Sequence, residues 1–222
     1  MEFIISLLFI ASASAADFSF HGYLRAGTGT NGKGAKLECV NNRGAQSNEF
    51  RLGNECSIYG EAAFVSSFLP AKEEEAPFFK SNLRFAFFPS GNSSFEDTDT
   101  DGREINLVEA FVEGGKLEGS PLTYWAGKRF YRDVDLYIHD WYYFGNMSGN
   151  GAGVGNIPLG SGALAAALLF ETGSTRTNVG INQTQVLDLR WQEVKVGNSS
   201  RLHFWGAYGK APGGKTATKF YV

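Results

Sequence analysis

The chain has 222 residues, enough for a sizeable core, with an aromatic fraction of 14%, 28 glycines and only 6 prolines. Its formal net charge of −3 leaves no basic footprint of the kind nucleic acid requires. Many aromatics and glycines with few prolines suit a β-protein with tight turns.

Residues 1–16 read as a secretory signal peptide. Phe3 to Ile10 is a short apolar core, and Ala13-Ser14-Ala15 is a small-residue cleavage site, so the mature chain is expected to span 17–222. The n-region departs from the usual pattern in carrying Glu2 and no Lys or Arg. The alternative, an N-terminal membrane anchor, meets the objection that the apolar run is too short to span a bilayer. The longest later apolar stretch, Ala163 to Phe170, is also too short for a spanning helix. An exported protein of this kind is either soluble and secreted or an outer-membrane barrel.

Beyond the leader, alternation with a period of two replaces helical periodicity. Phe18, Phe20, Gly22, Leu24 and Ala26 share one face, and His21, Tyr23 and Arg25 the other. Phe50, Leu52, Ile58, Ala62 and Phe64 alternate with Arg51, Glu55, Tyr59 and Glu61. Phe79, Leu83, Phe85 and Phe87 alternate with Lys80, Asn82 and Arg84. Leu187, Leu189 and Trp191 alternate with Asp188, Arg190 and Gln192, and Leu202, Phe204, Gly206 and Tyr208 with His203, Trp205 and Ala207. Long polar insertions, 31–46 and 90–102, separate some strands, whereas Gly114-Gly115 and Gly197 to Ser200 look like short turns. Roughly nine strands of about ten residues are expected.

Alternation alone fits two architectures. A soluble sandwich turns its polar face to water and its apolar face to a core. A membrane barrel turns its apolar face to lipid and its polar face to a lumen. Here the polar faces mix charges of both signs with bulky aromatics, and long insertions contrast with short turns. Both features favour the barrel.

Other signals are weaker. Gly27 to Gly32 matches G-x-G-x-x-G, but a loop follows where a dinucleotide site needs a helix. Asn92, Asn146, Asn182 and Asn198 open N-x-S/T sequons of the kind that arise by chance in Asn- and Ser-rich loops. His21, His139 and His203 are scattered without metal spacing, so no metal and no cofactor is expected. Cys39 and Cys56 are the two cysteines; in an oxidising compartment they are able to pair, and two free thiols are the alternative. Asp133, Asp135 and Asp140 lie near Arg129 and Arg132, and a glycosidase would need two such carboxylates, but so would any charged loop supply them.

Two stretches carry a family resemblance. The first is Phe20 to Gly27, followed by Gly44-Ala45-Gln46 and Phe50 to Cys56. The second is Trp125 to Tyr131, followed by Asp140 to Tyr143 and Ser148 to Gly153. In order and spacing both resemble the maltoporin family, and Val186 to Arg190 and Tyr208 to Ala211 continue the likeness over almost all of the mature chain. The resemblance implies an all-β fold, an antiparallel transmembrane β-barrel of eighteen strands, of which this chain would be about the N-terminal half. It implies a homotrimer in the outer membrane, in contact with lipid, that passes sugars along an aromatic slide flanked by polar residues. No catalysis is expected.

By motif position, Tyr23 and Tyr59 resemble slide residues. Phe95 sits where the family has a Trp on a loop that reaches a neighbouring subunit. Arg25, Arg51, Glu61, Arg103, Arg129, Asp135, Tyr137 and Asp140 resemble the polar track and the inward-folded constriction loop. Cys39 and Cys56 match the family's first-loop disulfide. The implied substrate is an oligosaccharide of the maltose or maltodextrin type; a sucrose or β-glucoside porin, a surface-binding protein or phage receptor, and a glycosidase using Asp135 and Asp140 are the alternatives.

Overall fold

A computed structural model describes residues 17–25, 33–34, 59–70, 73, 75–89, 103–132, 145–172, 183–210 and 216–221. Among them run ten strands: β1 (Asp17–Arg25), β2 (Tyr59–Leu69), β3 (Phe78–Pro89), β4 (Arg103–Gly115), β5 (Thr123–Arg129), β6 (Gly149–Leu159), β7 (Gly162–Thr172), β8 (Gln183–Val196), β9 (Ser200–Lys210) and β10 (Thr216–Tyr221). Each pairs antiparallel with the next in sequence, giving one up-and-down sheet in the order β1 to β10. The count exceeds the expected nine. A single 3-10 turn, Leu117–Gly119, is the one helical element among the described residues.

The connections sort by end. Residues 26–58, 90–102, 130–148, 173–182 and 211–215 join strands at one end, while 70–77, 116–122, 160–161 and 197–199 join them at the other. Gly114 and Gly115 are not the turn itself: they close β4, opposite Tyr124 and Thr123, and the chain reverses after them. Gly197 has a φ of 66°, which a tight reversal into β9 uses at no steric cost. Near this short-turn end two bulges, between Val154 and Ile157 and between Trp191 and Val194, coincide with positive φ at Asn156 and Glu193.

Burial inverts the pattern of a soluble sheet. One face exposes Phe18, Phe20, Leu24, Leu83, Ile105, Leu107, Val112, Leu168, Leu187 and Leu189, with Leu24 at 67% and Ile105 at 74%. The other face buries Asn82, Glu109, Asp188 and Arg190. The register explains the segregation, because Phe20 lies opposite Phe64, Phe64 opposite Leu83, and Leu168 opposite Leu187, all on one face.

Apolar rings on the exposed face meet across strands. Phe64 stands 5.4 Å from Phe20 and 6.3 Å from Phe85 between ring centroids. Such pairs contribute about 0.5–1.5 kcal/mol each beyond area burial. At the short-turn end Trp191 stacks on Phe204 at 5.3 Å, and its indole N–H donates to the Leu159 carbonyl at 3.1 Å. A ring with an apolar body and a satisfied polar tip suits the boundary between lipid and water.

Candidate functional site

The polar face of β1 to β4 carries a continuous set of aromatic and charged groups. Tyr23 lies opposite Glu61, and Arg25 opposite Tyr59, so two period-two patterns in register bring four side chains to one patch. The Tyr23 and Tyr59 rings are 6.0 Å apart and inclined by 52°, and the Arg25 guanidinium lies 5.8 Å from the Tyr59 centroid. The Tyr59 hydroxyl donates to Glu61 Oε1. Four of the residues expected to act together are therefore neighbours.

From Glu61 the polar contacts continue across the sheet. Arg84 Nη1 donates to Glu61 Oε2 at 2.8 Å, and Arg84 Nε donates to Glu109 Oε2 at 2.5 Å. Asn82 Nδ2 donates to the same Glu109 oxygen at 3.2 Å. The other oxygen, Glu109 Oε1, accepts the backbone N–H of Phe130 at 2.9 Å. Glu109 is only 5% exposed, and its burial is compensated because a guanidinium, an amide and a main-chain N–H all donate to its carboxyl oxygens.

Arg129 ends β5 and lies over three rings, with its guanidinium carbon 4.7 Å from the Phe111 centroid, 5.0 Å from Trp125 and 5.8 Å from Tyr131. Arg132 stacks on Phe130 at 3.8 Å. The chain after β5 thus turns across the polar face instead of leaving it. Residues 130–132 and 145–148 meet there: Arg132 pairs with Asn146, and the Met147 N–H donates to the Tyr131 carbonyl at 2.9 Å.

Beneath these residues the polar face becomes apolar. Trp125, Ala167, Leu169, Val186, Trp205 and Ala207 form a buried cluster, with Tyr131 and Met147 packed on it. Glycine at 153 makes room for the cluster, since a Cβ there would lie 2.5 Å from the Trp125 indole nitrogen. Ala163 to Phe170, apolar on both faces, lies within β7: one face is exposed and the other lies under this cover.

A family model for LamB porin matches residues 18–221. The chain belongs to the LamB porin family. That family is one of outer-membrane channels and not of enzymes, and its fold is a β-barrel. The exposed apolar face of this porin is accordingly the lipid face, and the polar face lines the lumen. The sandwich alternative fails on the same observation: it has no use for a face of exposed Phe and Leu backed by buried Asp and Arg.

Of the remaining expected site residues, Arg103 opens β4 opposite Pro89. Arg51, Phe95, Asp135, Tyr137 and Asp140 lie outside the described residues, as do Cys39, Cys56 and the 27–32 glycine motif. Arg84, Glu109, Asp188, Arg190 and Trp205 were not among the expected site residues. A signal for each was present: Glu109, Phe111 and Glu113 alternate as the other polar faces do, and Arg84, Asp188, Arg190 and Trp205 stand on faces already read as polar. Among the described residues no group of His, Cys, Asp and Glu is arranged to hold a metal ion.

Proposed function

We propose that this porin passes linear oligosaccharides of the maltodextrin type by facilitated diffusion. The observation that carries the reading is the Tyr23–Tyr59 pair set beside the Arg25, Glu61, Arg84 and Glu109 groups on the lumen face. Sugar rings have apolar C–H faces and a rim of hydroxyls. Tyrosine rings offer a surface for the first, and carboxylates and guanidinium groups exchange hydrogen bonds with the second. Water already solvates the hydroxyls, so each exchange is nearly neutral in free energy, and the sugar moves from one shallow site to the next. Passage needs binding strong enough to enter and weak enough to leave. No energy source or cofactor takes part.

In this reading residues 1–16 direct export and are cleaved, and 17–222 belong to the barrel. The barrel assembles as a homotrimer, and Phe95 reaches toward a neighbouring subunit. Arg51, Arg103, Arg129, Asp135, Tyr137 and Asp140 complete the polar track. β1 and β10 are the edges of the described sheet. The assembled barrel gives each of them a partner strand, because lipid offers unpaired backbone groups no hydrogen bonds.

Liposome swelling with the assembled porin tests the substrate class. Maltodextrins are expected to enter faster than unrelated solutes of similar size. Equal entry would remove the sugar-specific reading, and faster entry of sucrose or a β-glucoside would reassign the substrate.

A further inference from the structure

We propose that Asp188, Arg190 and Trp205 are positioning residues that clamp residues 130–132 and 145–148 onto the lumen wall and thereby set the bore at that level. The inference rests on the channel reading above. Asp188 and Arg190 are next-but-one neighbours on β8, both facing the lumen, yet they are 0% and 2% exposed. A wall of a water-filled channel would leave such a pair wet. It is dry here because the chain following β5 and the chain preceding β6 lie over it.

The hydrogen bonds show what the pair does. Arg190 Nε donates to Asp188 Oδ1 at 2.7 Å and Nη2 donates to Oδ2 at 3.2 Å, which fixes the plane of the guanidinium. Trp205 Nε1 donates to Asp188 Oδ2 at 2.5 Å from the adjacent strand β9, and so holds the carboxylate from the other side. Thus oriented, Arg190 has Nη2 3.3 Å from the Tyr131 carbonyl and its guanidinium carbon 3.9 Å from the Tyr131 ring centroid. The same carbonyl accepts from Met147, so one oxygen ties both ends of the covering segment to one wall residue. Trp125, 5.2 Å from the Tyr131 ring, supports it from β5.

Net stability does not explain this arrangement. Burying an ion pair costs roughly what its attraction returns, and a hydrophobic replacement is often as stable. What an apolar patch lacks is direction. A guanidinium fixed by two donors to one carboxylate can present a third N–H to one main-chain oxygen, and that contact specifies where the segment sits.

Arg190→Lys separates clamping from folding, because it keeps a positive charge beside Asp188 but loses the planar stack and the directed third N–H. Trp205→Phe keeps the ring and loses the donor to Asp188. Single-channel recordings in planar bilayers, with the heat-denaturation midpoint of the assembled porin measured in parallel, read the result. Arg190→Lys is expected to shift open-channel current upward and to add flicker between levels, and Trp205→Phe to do so to a smaller extent. Leu187→Ala, on the lipid face of the same strand, is expected to lower the denaturation midpoint with unchanged current. If Arg190→Lys does not assemble, Trp205→Phe alone decides. Variants that lose heat stability but conduct quietly at the wild-type level overturn the clamp and leave the channel intact. A wild-type protein that forms no channel overturns the channel reading as well.

Discussion

Arg84 Nε lies 2.5 Å from Glu109 Oε2, across the pairing of β3 and β4, and the same guanidinium reaches back to Glu61 on β2. One cation therefore bridges two carboxylates along the lumen wall. Glu109→Gln replaces a carboxylate with a group that accepts at one atom only, so either Arg84 or the Phe130 N–H loses a partner. A cost of about 1–3 kcal/mol is expected, the usual penalty for an unsatisfied buried polar group. Heat denaturation of the assembled porin measures it, and an unchanged midpoint would show that water replaces the missing acceptor.

Tyr59 and Glu61 are expected to respond differently to substitution. Tyr59→Ala removes a stacking surface without adding charge, so sugar affinity falls by about 1 kcal/mol, roughly five-fold, while small-ion conductance stays equal or rises. Glu61→Gln removes a strong acceptor and a cation attractor together, so both sugar affinity and cation preference fall. Tyr59→Phe, which loses only the hydroxyl donated to Glu61, is expected to lie between wild type and Tyr59→Ala. Reversal potentials in a salt gradient, combined with sugar titration, separate the three.

The lipid face makes a prediction that differs in magnitude from that of a soluble protein. Leu187 is exposed, and on a water-facing surface Leu187→Arg would be nearly neutral. Facing the bilayer, the same change costs about 2–4 kcal/mol near the midplane. Reversible unfolding from lipid vesicles measures the difference, and a neutral result would remove this face from contact with lipid.

Much of this was legible in the residues. Period-two alternation placed Tyr23 with Arg25, and Tyr59 with Glu61, on one face, and the register confirms both. The same alternation puts Asp188 and Arg190 on the polar face. Their burial was not legible, because it depends on residues 130–132, more than fifty positions earlier, folding back over β8. β7 was the hardest strand to read for the same reason. A strand apolar on both faces looks like a core element, and only the cover formed by Tyr131 and Met147 explains its second apolar face. β6 hid behind glycines at 149, 151, 153 and 155, which leave no side-chain pattern on the lumen side. Gly114-Gly115 has the composition of a turn but serves close strand approach, where a Cβ at Gly115 would lie 2.4 Å from the Leu122 carbonyl, and the chain reverses only after it.

Cys39 and Cys56 are proposed to form a disulfide that pins the connection between β1 and β2. A loop of roughly 15 residues closed this way contributes about 3 kcal/mol in the chain-entropy account. Thiol labelling of the unreduced, unfolded protein is expected to find neither cysteine free, and labelling of both would refute the pairing.

The face bearing Tyr23, Tyr59 and the Glu61–Arg84–Glu109 ladder is proposed to be a sugar path. Single-channel current through the assembled porin, recorded while a linear maltodextrin is titrated in, tests it most directly. Saturable, concentration-dependent block that weakens in Tyr59→Ala is expected. Block that is absent, or that is unchanged in Tyr59→Ala, would contradict it.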